Sequence, residues 1–401
     1  MKCIREVAAN IMYVGASDRR LALFENMFPL ENGVTYNAYL ILDDKTALVD
    51  TVDASVTRQF MENMDAALNG RRLDYLVVNH MEPDHCANIE EICRRWPEVK
   101  IVGNKKTFAM IGQFYRSDLS AHFYEVKEND ELALGKRTLR FVTAPMVHWP
   151  EVMITLETSG NIVFSADAFG TFGGFGGNLF SDEMDYENLY LDEARRYYTN
   201  IVGKYGQQVL AALAKLGDAV PDLICPLHGP VLRGGAIPLL LEKYKNWASY
   251  RPEKKGVVLA YASMYGNTES AVHAMADMLA KKGVEDMRIF DVSKTHYSYI
   301  IAQIFKYSHL VLASPTYNMH VYNAMETLLR DMAALNVQNR KAAIVGNGSW
   351  APTAHKLMQS MLGEMKNMEV VGNPLVLLSS MREEQIPEME TLAEQLAASM
   401  Q

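Results

Sequence analysis

The sequence predicts two α/β domains in tandem, a mixed strand-and-helix N-terminal half followed by a doubly wound parallel sheet. Three observations carry this reading. The chain has 401 residues, long for one domain and ordinary for two. A polar stretch with a proline and a charge cluster, residues 246–255 (NWASYRPEKK), interrupts it. Beyond that stretch strands and helices alternate regularly, which they do not before it. The expected domains are therefore 1–250 and 251–401.

In the first half, residues 36–49 (YNAYLILDDKTALV) read as a hairpin with Asp43 and Asp44 at its turn. Residues 57–68 suit a helix. Residues 73–78 (LDYLVV) form a buried strand, and His80 lies just after its end. Residues 138–143 and 162–165 are further strands, followed by His148 and Asp167 respectively. Loops held at the ends of a rigid sheet are where sites tend to be built. The glycine-rich stretch 170–177 (GTFGGFGG) has no strand–loop–helix pattern around it, so it reads as a flexible loop over a site. Residues 187–216 are mostly helical by periodicity, and 221–226 lead as a short strand into His228. In the second half, strands are expected at 256–262, 287–292, 309–314, 341–346 and 375–378. Helices fill 269–282, 297–306, 321–335, 353–365 and 383–400. Five such alternating units make a doubly wound parallel sheet.

Composition bounds the function. The hydrophobic fraction of 49% and charged fraction of 22% are those of a globular protein. No segment approaches the roughly 18 consecutive apolar residues that cross a bilayer. The start carries Lys2, Arg5 and Glu6 with no long apolar core, a poor signal peptide, so a cytoplasmic location is expected. A net charge of −9 and no long basic run argue against nucleic acid as a partner. The four cysteines, Cys3, Cys86, Cys93 and Cys225, form no C-x-x-C pair and read as small buried apolar side chains.

The sharpest local signal is HMEPDH: His80, Glu82, Asp84 and His85 are four metal-ligand types within six residues. Carboxylates so crowded repel one another unless a cation lies between them. His148, Asp167 and His228 complete a set of four imidazoles and three carboxylates, which suits two metals with one carboxylate bridging. Zinc hydrolases also mix His and Asp. Here Glu82 stands where a hydrolase of this pattern usually carries a second His, and a harder, carboxylate-rich set with open positions favours iron over zinc or copper. This is an argument of tendency and leaves zinc and manganese open. A lone His at 148 or 228 would more often be structural, but the whole pattern is highly specific. His122, His273, His296, His309, His320 and His355 have no such company and read as structural or surface residues.

The second half carries three loops at strand ends. Ser263, Met264, Tyr265, Gly266, Asn267 and Thr268 join the first strand to a helix; hydroxyls, a glycine and backbone N–H groups there make a phosphate cradle. The loop lacks G-K-[ST] and G-x-G-x-x-G and contains no lysine, so neutral donors would hold the phosphate. Ser314, Pro315, Thr316, Tyr317 and Asn318 follow the third strand, and Asn347, Gly348, Ser349 and Trp350 the fourth. Tyr317 and Trp350 offer apolar faces to a flat ring. Each loop alone is an ordinary turn sequence, and Trp350 alone could be core. Three in order, at the carboxyl ends of successive strands, are a strong signal.

Taken together, H-x-E-x-D-H with His148, Asp167 and His228 resembles the metallo-β-lactamase-like domain of flavodiiron proteins, and the loop beginning at Ser263 resembles the one with which flavodoxins hold FMN. The two resemblances cover essentially the whole chain. They imply an αββα sandwich with its site at one edge, followed by a flavodoxin-like sheet. They imply two irons: one bound by His80, Glu82 and His148, the other by Asp84, His85 and His228, with Asp167 bridging. In some family members the residue matching His85 turns away from its iron. Tyr197 and Tyr198 fall where the family often places a tyrosine beside the irons; Tyr198 is taken as the catalytic candidate, with helix packing the plain alternative. Some members carry an extra histidine near the substrate pocket, from the N-terminal segment, whereas no histidine precedes His80 here.

The implied activity is reduction of dioxygen by four electrons to two waters, or of two nitric oxide molecules by two electrons to nitrous oxide, in oxygen or nitric oxide detoxification. The resemblance further implies electrons passing through FMN and a head-to-tail homodimer, or a tetramer of such dimers, with one subunit's flavin beside the other's irons. No pair of C-x-x-C motifs follows the second domain, so a separate donor such as a small rubredoxin is expected. Two other readings compete: a metallo-β-lactamase-superfamily hydrolase with a regulatory flavodoxin-like domain, opposed by Glu82 and the FMN loops, and an electron carrier with an inert first half, opposed by the complete ligand set.

Overall fold

The structure is a computed structural model that describes residues 3–217 and 219–400. The chain divides into two compact units, Met1–Tyr198 with Gln207–Tyr244, and Thr199–Gly206 with Lys245–Gln401. The expected single cut at residue 250 differs from this division in the segment Thr199–Gly206 and in residues 245–250, both of which belong to the second unit. Hydrogen bonds explain the membership of Thr199–Gly206. Tyr250 donates its hydroxyl to the Gly203 carbonyl at 2.9 Å and accepts the Gly206 N–H at 3.3 Å, and Asn200 donates to the Ser298 carbonyl at 3.2 Å.

The first unit is a sandwich of two mixed sheets. One runs in the order Arg5–Ala8, Ile11–Tyr13, Tyr39–Leu42, Thr46–Val49, Tyr75–Val77, Lys100–Gly103, Phe123–Glu125, antiparallel through Thr46–Val49 and parallel beyond it. The other runs Glu131–Ala133, Thr138–Thr143, Met153–Glu157, Ile162–Phe164, Leu223–Cys225, with only its last pair parallel. Alternate residues from both sheets meet in one core: Tyr39, Ile41, Ala47, Val49 and Val77 on one side, Leu139, Phe141, Phe164 and Cys225 on the other. The intervening Leu40, Leu48 and Leu76 are also fully buried, on the face away from that core, as are Phe60 and Met64 of the helix Thr57–Leu68 and Ile89 and Ile92 of Ile89–Arg95. Burial of each such side chain stabilises by about 1.5–3 kcal/mol. The strands before residue 36, each two to four residues long, are too short for periodicity to reveal.

The second unit is the doubly wound sheet the sequence predicts. Its parallel strands lie in the order Met287–Asp291, Lys254–Tyr261, Tyr307–Tyr317, Lys341–Asn347, Leu375–Leu377, that is second, first, third, fourth, fifth. Such sheets bind ligands beyond the carboxyl ends of their strands, where the order reverses. Val257, Leu259, Val311 and Val345 pack against Val272, Met275 and Leu279 of Asn267–Lys281 and Leu392 and Leu396 of Ile386–Ala398. Among the described residues no helix is long and apolar enough to cross a membrane.

Candidate functional site

Four loops of the first unit, all at carboxyl ends of strands or just beyond, bring seven ionisable side chains together. His80 and Glu82 follow Tyr75–Val77, and Asp84 and His85 sit on the single-turn helix Pro83–Cys86, started by Pro83 at its first position. His148 follows Thr138–Thr143, Asp167 follows Ile162–Phe164, and His228 follows Leu223–Cys225. At Gly229 the backbone is left-handed (φ +80°), and a Cβ there would lie 2.1 Å from Thr171 Cγ2, so only glycine lets the chain turn after His228.

The geometry separates the ligands into two sets, His80, Glu82, His148 and Asp167 in one, Asp84, His85 and His228 in the other. In the first, Glu82 Oε2 lies 3.3 Å from His80 Nε2 and 3.1 Å from His148 Nε2, while Asp167 Oδ2 lies 3.3 and 3.0 Å from the same two nitrogens. In the second, His85 Nε2 and His228 Nε2 are 3.1 Å apart and each is 3.4 Å from Asp84 Oδ2. Asp167 Oδ1 faces this second set, 3.2 Å from His85 Nε2. One carboxylate thus turns one oxygen to each set, and His85 points inward.

Other residues fix the ring orientations. His80 Nδ1–H donates to Glu151 Oε1 at 2.8 Å, and the same oxygen accepts the Met81 N–H at 2.8 Å. His228 Nδ1–H donates to the Thr35 carbonyl at 2.6 Å. In both rings Nε2 is the nitrogen aimed into the cluster, the arrangement of metal-ligating imidazoles. Asp50 accepts the backbone N–H groups of Asn79 and His80, holding the loop that carries HMEPDH.

The electrostatics are those of a cation site. His80 is held well above its usual range because, although burial opposes protonation, the Asp167 charge and hydrogen bonds to Asp167, Glu151 and Glu82 outweigh it. His148 rises to about 9 against burial, through Asp167 and Glu82. Burial would lift Asp167 and Glu82, but the surrounding histidines hold both below the carboxylate range. A field that retains protons on buried imidazoles will exchange them for a metal dication. Both Asp84 oxygens and Asp167 Oδ1 are buried without a hydrogen-bond partner among the described residues, which a metal ion would satisfy. The residues fit two ions.

The two tyrosines part company. Tyr197 lies against the cluster, its ring 5.4 Å from that of His228 and its hydroxyl buried without a hydrogen-bond partner among the described residues. Burial, then the charges of Asp167, Glu82 and Asp84, push that hydroxyl well above its usual range. Tyr198 instead turns its ring onto Tyr244, 4.9 Å away. The expectation for Tyr198 is corrected: the tyrosine beside the ligands is Tyr197. One further carboxyl reaches the cluster unforeseen. Glu25 sits at the tip of the hairpin formed by Leu23–Phe24 and Phe28–Pro29, and burial of its carboxyl, then the neighbouring Glu82 charge, push it up to about 8.

In the second unit, a cleft of about 330 Å³ lies across the strand ends. It is lined by Ser263, Met264, Tyr265, Asn267, Thr268, Pro315, Thr316, Tyr317, Asn318, Asn347, Gly348, Ser349 and Trp350, and also by Met319 and Ser379. Gly266 is not among its lining residues; left-handed at φ +92°, it caps the 15-residue helix, and its N–H donates to Ser263 Oγ at 3.1 Å. Ser314 is corrected too: fully buried, its hydroxyl donates to the Pro315 carbonyl and shapes the loop from within. Asn347 ties three loops by donating to Thr268 Oγ1 and the Ser379 carbonyl and accepting the Ser379 N–H. Tyr265 and Trp350 stand 91% and 74% exposed at the rim. Neutral donors at a helix N-terminus flanked by exposed aromatic faces fit a phosphate-bearing flat ring such as FMN. Ser379 could have been found from the same rule, since it follows the fifth strand.

Comparison with known proteins finds relatives of both halves of the chain. Residues 34–229 match the model of the ODP family beta lactamase, and residues 259–375 the flavodoxin model. A nitric oxide reductase of Moorella thermoacetica is 32% identical, aligned over 92% of this chain and 91% of its own. An anaerobic nitric oxide reductase flavorubredoxin of Pectobacterium carotovorum is 31% identical over 89% of this chain and 71% of its own. Among solved structures, the rubredoxin oxygen:oxidoreductase of Desulfovibrio gigas superposes with a TM-score of 0.92 at 27% identity, covering 99% of this chain and 98% of that one.

Proposed function

Because this chain belongs to the flavodiiron protein family, we propose that its two ligand sets are the seats of the family's iron pair and that its strand-end cleft seats FMN. The protein is an oxidoreductase that reduces dioxygen, nitric oxide or both at a non-haem diiron site, with electrons delivered through FMN. When bound, the iron pair supplies open coordination positions and electrons, and FMN relays electrons from the donor. One observation carries the assignment: the two oxygens of Asp167 face two separate sets of histidines and carboxylates.

In this reading His80, Glu82 and His148 hold one iron, Asp84, His85 and His228 the other, and Asp167 both. Glu151 and Thr35 orient His80 and His228 so that Nε2 is the ligating nitrogen. Phe24, edge-on to His228 at 5.3 Å, and Phe172, 5.1 Å from Tyr197, place apolar rings along one side of the ligands. Tyr197 holds its hydroxyl proton beside the ligands and can donate it to a reduced oxygen atom. The loops from Ser263 and Asn347 hold the FMN phosphate and ring edge. Glu82 in place of a histidine weighs against a hydrolase.

The proposal extends to a head-to-tail homodimer, to a separate rubredoxin-type donor, and to a cytoplasmic location. The four cysteines, all free, suit a reducing compartment. The test is gas consumption by protein supplied with a chemically reduced rubredoxin. The wild type should consume dioxygen or nitric oxide, and Asp167→Ala should abolish this while retaining FMN. Full activity of a monomer in dilute solution would refute the head-to-tail arrangement. Undiminished turnover by Asp167→Ala would refute the site.

A further inference from the structure

We propose that the loop after the fifth strand of the second unit helps select phosphorylated flavin, with Ser379 as a further phosphate donor and Asn347 as the residue that positions it. The inference rests on the reading of the strand-end cleft as the FMN seat and deepens it. The fifth strand, Leu375–Leu377, pairs with Lys341–Asn347, and Ser379 lies two residues beyond its end. Ser379 lines the cleft together with Asn267, Thr268 and Ser349. Its backbone is left-handed (φ 69°), and one side chain takes both of its backbone polar groups. Asn347 Oδ1 accepts the Ser379 N–H at 3.0 Å, and Asn347 Nδ2 donates to the Ser379 carbonyl at 2.9 Å. The same Nδ2 also donates to Thr268 Oγ1 at 3.2 Å. Beside it, Ser380 Oγ donates to Asn267 Oδ1 at 3.3 Å. The loop is thus fastened to the first turn of the helix Asn267–Lys281, the end of a helix that favours an anion.

The hydroxyl of Ser379 is the polar group left for a ligand. Its Oγ lies 2.8 Å from Ser349 Oγ. Two hydroxyls in contact share one hydrogen, and the second hydrogen of the pair is left to donate elsewhere. Both serines line the cleft, and none of the described residues lining it is charged. A phosphate there is held by hydroxyl, amide and backbone N–H donors alone, so each one counts. A hydrogen bond to a charged oxygen is roughly twice as strong as one between neutral groups. The flat ring is served by the aromatic faces of Tyr317 and Trp350, whereas a hydroxyl tied to a helix N-terminus suits the phosphate.

The experiment titrates flavin-depleted, iron-loaded full-length protein with FMN and, separately, with riboflavin, following flavin fluorescence. Ser379→Ala and Ser379→Gly both remove the hydroxyl, and glycine suits the left-handed backbone. Both variants should bind FMN on the order of tenfold more weakly and riboflavin within about twofold of wild type, with melting temperature unchanged. Asn347→Ala should also weaken FMN more than riboflavin, and adding Ser379→Ala to it should cost less than Ser379→Ala alone. Wild-type FMN affinity in the Ser379 variants, or equal losses for FMN and riboflavin, would overturn the phosphate role. Full additivity of the two substitutions would overturn the positioning role of Asn347. A wild-type protein that bound neither flavin would instead overturn the reading of the cleft, and the inference with it.

Discussion

Replacing Glu151 with alanine should loosen one iron and leave the other in place. Glu151 is 1% exposed, and its Oε1 accepts two hydrogen bonds of 2.8 Å, from His80 Nδ1 and from the Met81 backbone. A charge-assisted bond of this kind is worth about 1.5–3 kcal/mol. Loss of a carboxylate behind a ligating histidine typically weakens metal binding about 10- to 100-fold, or about 1.4–2.8 kcal/mol. The loss should fall on the position held by His80, Glu82 and His148. The other should change by less than about twofold, because His228 is oriented independently by the Thr35 carbonyl. Glu151→Gln is the sharper variant. Both donors use the same oxygen, so the amide can still accept them and only the charge is lost, for a weakening below about tenfold. Chelator competition with iron analysis measures this, with FMN content as the check on folding. Parallel release of both irons from Glu151→Ala, or a Gln variant as weak as the Ala variant, would refute the reasoning.

Gly229→Ala should destabilise the first unit by about 3 kcal/mol through left-handed strain and the clash with Thr171; thermal unfolding should fall by roughly 6–12 °C. Tyr197→Phe should leave stability within about 1 kcal/mol, since its hydroxyl has no hydrogen-bond partner among the described residues, while slowing gas consumption on the order of tenfold; Tyr198→Phe should stay within about twofold of wild type, as steady-state rates would show. Ser263→Ala removes the acceptor of the Gly266 N–H, costing about 1 kcal/mol and weakening FMN about fivefold in a fluorescence titration. His309 is buried between Ser308 and Ser399, and burial pushes it down to about 4. Its folded value lies below its unfolded one, so its contribution is full above about pH 6.5 and disappears as pH falls towards 4. Full-chain unfolding should show a loss on the order of 1–3 kcal/mol in the second unit across that window, flattened in His309→Gln.

The parts legible in the sequence are those in which chemistry and chain order coincide. HMEPDH crowds four ligands into one turn and announces itself, and His148, Asp167 and His228 could be added because each follows a readable strand. The parallel sheet was legible because its three longest strands show as apolar runs between regularly spaced helices. Tyr197 and Tyr198 could not be told apart by spacing. Adjacent helical residues point about 100° apart, and the π-helix Tyr198–Val202 begins between them, so only coordinates say which faces the ligands. Ser314 misled because a hydroxyl in a ligand loop reads alike whether it faces the cleft or the strand beneath. The segment Thr199–Gly206 lies in a helical stretch of the first half, and nothing local reveals that its hydrogen bonds go to Tyr250 and Ser298.

The central claim is that one chain carries an iron pair and a flavin for reducing a diatomic gas. Metal analysis and flavin release on protein produced in iron-rich medium, followed by consumption assays for both gases, test it most directly. About two irons and one FMN per chain are expected, with consumption of dioxygen, nitric oxide or both. Zinc without iron, or no flavin, would contradict the account.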